Sequence, residues 1–270
     1  MKTNILQHLL FFSLICFIWS CNKTESESPG TNANTNLSGE LHMMVRIYPS
    51  STDTIEFVYD NAKRITTMYL KSSNTNTMAI YTYTRNSSGQ VTSYKYQEPS
   101  YNYEELYNYS INNDGKFTSA QITIIDGSNT YNDSETFTYT GEFITSIEYH
   151  QDREPYYLPQ KSVFTFDNVG NVTMEKDYTY LQSDTLVNNI ESAYDNKINP
   201  VISLGSPYSI PGGVFYGKNN VTSITTTSIN YSDVDTFIYT YNSSDEPITA
   251  NETDVNNGST SNYTIKYIYF

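Results

Sequence analysis

Cysteine is nearly absent from this 270-residue chain, since the two present, Cys16 and Cys21, both lie within its first 21 residues. The chain beyond Cys21 therefore has no thiol, which excludes disulfides, thiolate metal sites and a cysteine nucleophile from that part. Tryptophan and histidine are also scarce: Trp19 is the single tryptophan, and only His42 and His150 follow Cys21. Thiol chemistry is excluded, and histidine chemistry has two candidate residues.

Basic residues are few. The chain has 15 Lys and Arg against 29 Asp and Glu, which gives a formal net charge of −14. An acidic surface argues against a nucleic-acid partner and against electrostatic attraction to anionic lipids. Little of the chain has the periodicity of an amphipathic helix. Any attachment to a membrane must therefore come from another source.

The apolar run Ile5–Trp19 is too short for a membrane-spanning helix, and it follows the positive charge of Lys2. This pattern predicts a signal peptide over residues 1–20. The end of the run, Ile18-Trp19-Ser20-Cys21, resembles the lipobox of bacterial lipoproteins, which implies lipidation of Cys21. The alternative is an ordinary secretory signal with an incidental cysteine.

Residues 21–40 are rich in Asn, Thr, Ser and Gly and have no apolar periodicity. They are predicted to form a disordered tether between the lipid anchor and the folded domain. Glu25 and Glu27 resemble the acidic export signals of surface lipoproteins in the Bacteroidota. We therefore expect a protein that contacts the outer membrane through its lipid anchor only, with exposure on the cell surface as the further expectation.

A repeated phrase dominates the rest of the chain: two aromatic residues two apart, a polar turn, then an apolar residue followed by Thr. The first copy reads Phe57-Val58-Tyr59-Asp60 and continues to Ile65-Thr66. Copies begin at residues 57, 81, 107, 137, 164 and 237. Each copy predicts one β-hairpin, so residues 41–270 are predicted to form a single domain built from consecutive hairpins.

Alternation along the strands predicts which side chains share a face. In Tyr81-Thr82-Tyr83-Thr84 the aromatic rings point to one face and the threonines to the other. On the return strand, Thr92, Tyr94 and Tyr96 are predicted to share a face. One face is apolar and aromatic nearly throughout the sheet.

The strand that begins at Val172 is an exception, because it carries Glu175 and Asp177 in place of apolar residues. About 14 to 18 antiparallel strands are expected from strands of about 6 to 10 residues. A sheet of that size must curl, close or fold over to bury its apolar face. We predict an all-β antiparallel meander curled into a barrel or half-barrel, and the threonine-rich opposite face predicts that it is soluble.

The segment 196–218 interrupts the repeat with three prolines and several glycines. These residues disfavour long regular strands. The segment also contains Val201, Ile202 and Phe215, which favour burial. We interpret it as an irregular connection that caps one end of the curled sheet, with a gate over a cavity as the alternative.

The phrases Phe57-Val58-Tyr59-Asp60 and Gly170-Asn171-Val172-Thr173 resemble the YD repeats of Rhs-type proteins, whose hairpins build β-shells. Together with the lipobox, the segments Ala193–Pro200 and Asn219–Ile224 are similar to a family of uncharacterised lipoproteins of gut and oral Bacteroidota. That resemblance covers residues 41–270 and implies a porin-like curled β fold. The resemblance implies a fold and a cellular location, and it assigns no catalytic residues to this chain.

Catalysis and metal binding are poorly supported by the sequence. His150 lies near Asp152 and Glu154 but lacks the glycine pattern of a nucleophile elbow. Asn112–Gly115 and the pair Asp126 and Asp133 offer oxygen ligands without EF-hand spacing, and hairpin turns use the same residue types. We expect no enzyme activity, no metal site and no cofactor.

Ligand binding is the leading functional hypothesis. Most tyrosines fit the core pattern, but Tyr156 and Tyr157 are adjacent in a loop bounded by Pro155 and Pro159, and adjacent residues of an extended chain face opposite ways. These two are the candidate residues for binding a glycan or another small molecule. The alternative function is a structural or adhesin-like surface lipoprotein whose partner is another envelope protein.

Overall fold

The structure, a computed structural model, describes residues 39–73, 78–151, 161–179, 185–201, 217–228 and 231–270. These residues form sixteen β-strands, and a 3-10 turn lies at Pro99–Tyr101. The strands are β1 (Leu41–Ile47), β2 (Thr52–Tyr59), β3 (Ile65–Ser72), β4 (Met78–Arg85), β5 (Val91–Glu98), β6 (Tyr103–Ile111), β7 (Phe117–Asp126), β8 (Asn129–Thr140), β9 (Phe143–His150), β10 (Lys161–Phe166), β11 (Val172–Thr179), β12 (Thr185–Ile198), β13 (Asn219–Ser228), β14 (Tyr231–Tyr241), β15 (Pro247–Asn256) and β16 (Ser259–Tyr269).

The strands form one closed barrel in chain order. Each pairs antiparallel with the strand before and after it, and β1 closes the ring against β16. At this closure Met44 lies opposite Tyr267, and Arg46 lies opposite Ile265. The predicted all-β meander is confirmed, and of the two predicted forms the complete barrel is the one observed.

Five of the hairpin turns have the same hydrogen-bonding pattern. In one of them the Oδ1 atom of Asn112 accepts hydrogen bonds from the backbone N–H groups of Asp114 (3.0 Å) and Lys116 (2.9 Å). The Asn112 N–H group in turn donates to the carbonyl of Lys116. Equivalent side-chain bonds begin the turns at Asp60, Asn86, Asn112, Asp167 and Asn242. Because Asp or Asn caps its own turn in this way, the polar residue after each aromatic pair has a structural role.

A left-handed residue occupies the fourth position of each of these turns. It is glycine in three of them, as at Gly115 with φ of +79°. In the other two it is Lys63 (φ 59°) or Asp245 (φ 62°). A side chain in this conformation costs about 1 kcal/mol relative to glycine.

A β-bulge follows each turn and resets the alternation of the return strand. In β5, Val91 is fully buried and Tyr94 is 3 % exposed, so the inward residues are three apart at this point. Thr92 is the extra residue, and its hydroxyl donates to the carbonyl of Thr84 at 3.3 Å. The prediction that Thr92 shares a face with Tyr94 and Tyr96 was therefore wrong. The same hydroxyl-to-carbonyl bond occurs at Thr66, Thr118, Thr145 and Thr173.

The aromatic rings face the inside of the barrel, as predicted. Tyr81 is 1 % exposed, and its ring lies 6.0 Å from that of Tyr94, which in turn lies 5.4 Å from those of Tyr83 and Tyr107. Such tilted and offset ring pairs are favourable packing geometries. These rings therefore pack against one another inside the barrel.

The outward face is mainly polar. Its exposed positions include Thr84, Asn108, Ser110, Thr138 and Thr165, as the alternation predicted. Within the described residues there is no helix with the length and apolar character needed to cross a membrane.

Parts of the predicted domain organisation fall outside this description. The signal peptide over 1–20, residues 21–38 of the tether and residues 202–216 of the irregular segment lie outside the described residues. Strand β12 continues through Ile198, so regular structure extends three residues into the segment 196–218 before it ends. Val201, just after this strand, is buried. The capping role of 196–218 stays a prediction.

Candidate functional site

The inside of the barrel has two chemically different halves. The five repeated turns lie at one end, which we call the turn end, and the half of the interior next to it is apolar and aromatic. The half next to the opposite end, the acidic end, is lined by carboxylates from strands around the barrel. These are Asp53, Glu98, Glu105, Asp133, Glu135, Glu175, Asp177, Asp233, Asp235, Glu252 and Asp254.

Three aspartates converge in this half. Asp235 on β14 lies directly opposite Asp254 on β15, and Asp233 precedes Asp235 by two residues on the same face. One carboxylate oxygen from each lies within 4.8 Å of one from each of the others. Burial, followed by the charges of Asp233 and Asp254, raises the pKa of Asp235 to about 7. We call these residues the triple-aspartate cluster.

An arginine faces this cluster. The Arg46 guanidinium forms an ion pair with Glu252, which is 1 % exposed. The guanidinium also lies over the ring of Tyr263, 4.5 Å from the centroid, and over that of Tyr48 at 5.3 Å. Burial raises the pKa of Glu252 to about 8 despite the opposing effect of Arg46. The guanidinium is thus held between two aromatic rings beside an excess of negative charge.

A second acidic group lies on strands β10 to β12. The Ser162 hydroxyl donates to Oδ1 of Asp177 at 2.6 Å, and the Asn188 amide donates to its Oδ2 at 3.1 Å. Glu175, 5 % exposed, lies within hydrogen-bonding reach of Asp177. Burial and then Asp177 raise the pKa of Glu175 well above its ordinary value. Burial also raises the pKa of Asp177, so the two residues form a coupled carboxyl pair.

Tyrosine hydroxyls hold several of the other carboxylates. Tyr103 and Tyr107 both donate to Glu105, the second at 3.2 Å, and Tyr96 donates to Glu98. Such bonds fix the orientation of a carboxylate inside the barrel. The acidic half can therefore bind cations and hydrogen-bond donors, since carboxylates accept from both.

No protein-family model and no curated protein matches this sequence. Solved structures do match. The fold is similar to that of a porin-like protein from Bacteroides uniformis ATCC 8492. That crystal structure matches with a TM-score of 0.56 and 13 % identity, over 88 % of this chain and 99 % of the other. A porin-like protein from Bacteroides vulgatus ATCC 8482 matches with a TM-score of 0.49 and 10 % identity, over 86 % of this chain and 98 % of the other.

The likeness to the Bacteroides uniformis protein is a likeness of fold. It agrees with the expected porin-like β fold and with the sixteen-stranded closure of this chain. At this level of identity it transfers no site residue, so the acidic half has to be judged on its own geometry.

The predicted site residues Cys21, Tyr156 and Tyr157 lie outside the described residues. Strand β9 ends at His150 and β10 begins at Lys161, and both of these strand ends lie at the acidic end. Lipidation of Cys21 and ligand binding by the two tyrosines therefore stay predictions.

The histidines and oxygen ligands considered in the sequence analysis have surroundings that explain them without a functional site. His150 is exposed at the end of β9, and the ring of His42 lies 4.3 Å from that of Phe270. Asn112 caps its own turn, as described above. Asp126 is exposed at the end of β7, whereas Asp133 is buried inside the barrel. The structure does not bring these residues together into one site.

Sequence reasoning noticed Glu175 and Asp177 as an exception but missed the acidic half to which they belong. The sequence does contain a signal for this half. Four strands each carry two acidic residues at positions i and i+2, which places both side chains on the same face of the sheet. These pairs are Asp133 and Glu135, Glu175 and Asp177, Asp233 and Asp235, and Glu252 and Asp254. What the sequence does not reveal is that the four faces meet inside one barrel.

Proposed function

We propose that the protein is an accessory protein of the cell envelope that binds a small hydroxyl-rich ligand, such as a glycan, in the acidic half of its barrel. The observation that carries this proposal is the division of the interior into an aromatic half and an acidic half. Carboxylates are costly to bury, so packing alone does not explain why eleven of them line one half of the interior. Sugar hydroxyls would donate hydrogen bonds to these groups, and tyrosine rings would contact the sugar face.

The proposal includes a lipid anchor on Cys21 at the outer membrane. The polar outward face supports a soluble barrel, because a membrane-inserted barrel needs apolar outward positions through the depth of the bilayer. Strand β1 begins at the turn end, so a tether from Cys21 would join the barrel there. The acidic end would then face away from the membrane and towards ligands, on the cell surface if the protein is exported.

This function requires no catalysis, no cofactor and no nucleic-acid partner. The net charge of −14 supports the last of these statements, since nucleic acids repel an acidic surface.

A glycan array on the purified protein, followed by calorimetry on the best ligand, tests the binding proposal. Glu105→Gln removes one charge from the acidic half, and we expect it to weaken binding at least tenfold. Asp114→Asn is the matched control, because Asp114 is an exposed acid of the turn end, and it should leave affinity unchanged. Uniformly absent binding would reject the proposal, and loss confined to Tyr156→Ala and Tyr157→Ala would move the site to those residues.

Lipidation is tested separately. Metabolic labelling with a palmitate analogue should label the wild type and leave Cys21→Ser unlabelled. A labelled Cys21→Ser variant, or an unlabelled wild type, would contradict the anchor.

A second candidate function is interaction with an envelope protein. The neighbouring strands β14, β15 and β16 each carry an exposed apolar side chain, in Ile238, Ile248 and Ile268, and β2, on the far side of β1, carries Val58. Exposed apolar groups on adjacent strands are typical of protein contacts. Crosslinking on intact cells, with Ile238→Asp and Ile268→Asp as variants, tests this function. A partner captured equally by wild type and variants would contradict contact at these residues.

A further inference from the structure

The triple-aspartate cluster has more negative charge than its surroundings balance. Asp233, Asp235 and Asp254 converge within 4.8 Å, and Glu252 lies two residues before Asp254 on the same face of β15. Among the described residues, the ion pair in this group is the one between the guanidinium of Arg46 and Glu252. Four carboxyl groups beside one guanidinium repel one another when ionised, and either protons or a bound cation can relieve this repulsion.

In two of the three aspartates, Asp233 and Asp254, one oxygen lies near a tyrosine hydroxyl and the other is open. The Tyr231 hydroxyl donates to Oδ2 of Asp233 at 2.8 Å and is itself bonded by the Asn256 amide at 3.2 Å. The Tyr263 hydroxyl lies 3.5 Å from Oδ2 of Asp254. Among the described residues, Oδ1 of Asp233 and Oδ1 of Asp254 are buried and accept no hydrogen bond. Outer groups that orient one oxygen and leave the other open are the usual surroundings of metal ligands.

Glu252 provides an independent observation. It is the most deeply buried acid of the described residues, and while Oε1 pairs with Arg46, Oε2 accepts no hydrogen bond from any described residue. Glu252 and Asp254 lie two apart on β15, and Asp254 lies opposite Asp235, so the Glu252 side chain lies on the same face of the sheet as the cluster. A buried carboxylate oxygen without a donor is unfavourable unless a cation or a proton approaches it.

We propose that Asp233, Asp235 and Asp254 bind a divalent cation, with calcium preferred and Glu252 beside it. The ligand set consists of carboxylate oxygens alone, which favours a hard cation over a transition metal. Calcium accepts six to eight oxygens in flexible geometry, so three aspartates and solvent complete its shell, whereas magnesium demands a nearly regular octahedron. The cation site can be tested independently of the proposed function, because cation binding is measured without any organic ligand.

Terbium luminescence is the first test, since Tb³⁺ replaces Ca²⁺ in oxygen sites and is excited through nearby tyrosines such as Tyr231 and Tyr263. We expect a saturable signal from the wild type that calcium displaces more readily than magnesium. Asp235→Asn and Asp254→Asn should each weaken Tb³⁺ binding at least tenfold, and Asp114→Asn should not. An unsaturable wild-type signal, or equal affinity in all three variants, overturns the proposal.

Thermal unfolding with EDTA or with calcium is the second test and separates binding from simple stabilisation. Calcium should raise the midpoint of the wild type. Asp235→Asn should have an equal or higher midpoint than the wild type in EDTA, because it relieves repulsion, and should gain nothing from calcium. If Asp235→Asn fails to fold, Tyr231→Phe serves instead: it keeps all carboxylates and should reduce the calcium response several-fold. A calcium response that is unchanged in these variants contradicts the site.

Discussion

The half of the barrel next to the turn end (the turn half) and the half next to the acidic end (the acidic half) are built from the same strands, yet different forces act in them. Near the turn end, aromatic side chains are buried. The Tyr59 hydroxyl, for example, donates a hydrogen bond of 2.6 Å to the backbone carbonyl of Leu41 on the neighbouring strand β1. Near the acidic end, Glu135 and Glu175 are buried with raised pKa values. The half next to the turn end gains stability from packing, whereas the buried acids of the other half lower the free energy of unfolding. Costly buried acids gathered in one half point to a function for that half.

Removing an aromatic side chain from the turn half should produce the largest effect. Phe57 is 1 % exposed and lies in the main core. Phe57→Ala should lower the free energy of unfolding by about 3 to 5 kcal/mol, because it removes buried surface and leaves a cavity. Urea denaturation measures the change, with Ile238→Ala as the control, since Ile238 is 71 % exposed. Equal effects of the two substitutions would contradict a packed turn half.

The acidic half should respond to pH. Burial, then the charges of Glu105 and Asp133, raise the pKa of Glu135 from 4.5 to about 8. Between these values the folded protein holds a proton that the unfolded chain has released. The stabilising contribution is therefore complete below about pH 4.5 and is lost as the pH rises towards 8, by about 1.4 kcal/mol per pH unit.

Glu135→Gln should remove this component of the pH dependence of the free energy of unfolding, measured by urea denaturation at pH 5, 6, 7 and 8. Tyr149 lies opposite Glu135 and stays neutral in this range, because burial raises the pKa of its hydroxyl well above the ordinary value. Glu142→Gln, at an exposed turn position, is the matched control. An unchanged slope in Glu135→Gln would show that Glu135 is not the group responsible.

The repeated turns should each contribute a smaller amount. Asn112→Ala removes two hydrogen bonds to backbone N–H groups and should lower the free energy of unfolding by about 1 to 2 kcal/mol. Asn112→Asp should restore most of the loss, because Asp60 and Asp167 have the same role in their turns. Asn113→Ala, in the same turn, is the control. A loss of similar size in Asn113→Ala would contradict the capping role.

The smallest effect should be a gain. Asp245 has a left-handed backbone at a position where three equivalent turns have glycine. Asp245→Gly should raise the free energy of unfolding by about 0.5 to 1 kcal/mol, although it also removes an exposed ion pair with Lys197. The reciprocal change, Gly115→Asp, should lower it by a similar amount. Changes of the same sign in both variants would contradict the argument from backbone conformation.

Much of the turn half was predictable, because its signals are local. Tyr81 and Tyr83 were correctly assigned to the interior from their spacing, and Asp or Asn after the aromatic pair correctly indicated turns. The bulge at Thr92 was missed, since it depends on a bond to the carbonyl of Thr84 across the hairpin. The triple-aspartate cluster was not predicted, because Asp235 and Asp254 are far apart in the sequence and meet only when β14 pairs with β15.

By itself the sequence determined the hairpins, their turns and the inward aromatic face, because turn chemistry and alternation act within a few residues. Only the tertiary structure decided that β1 closes on β16 and that acids from strands across the chain line one half of one interior. Closure depends on twist and stagger accumulated over sixteen strands, and no local segment encodes that sum.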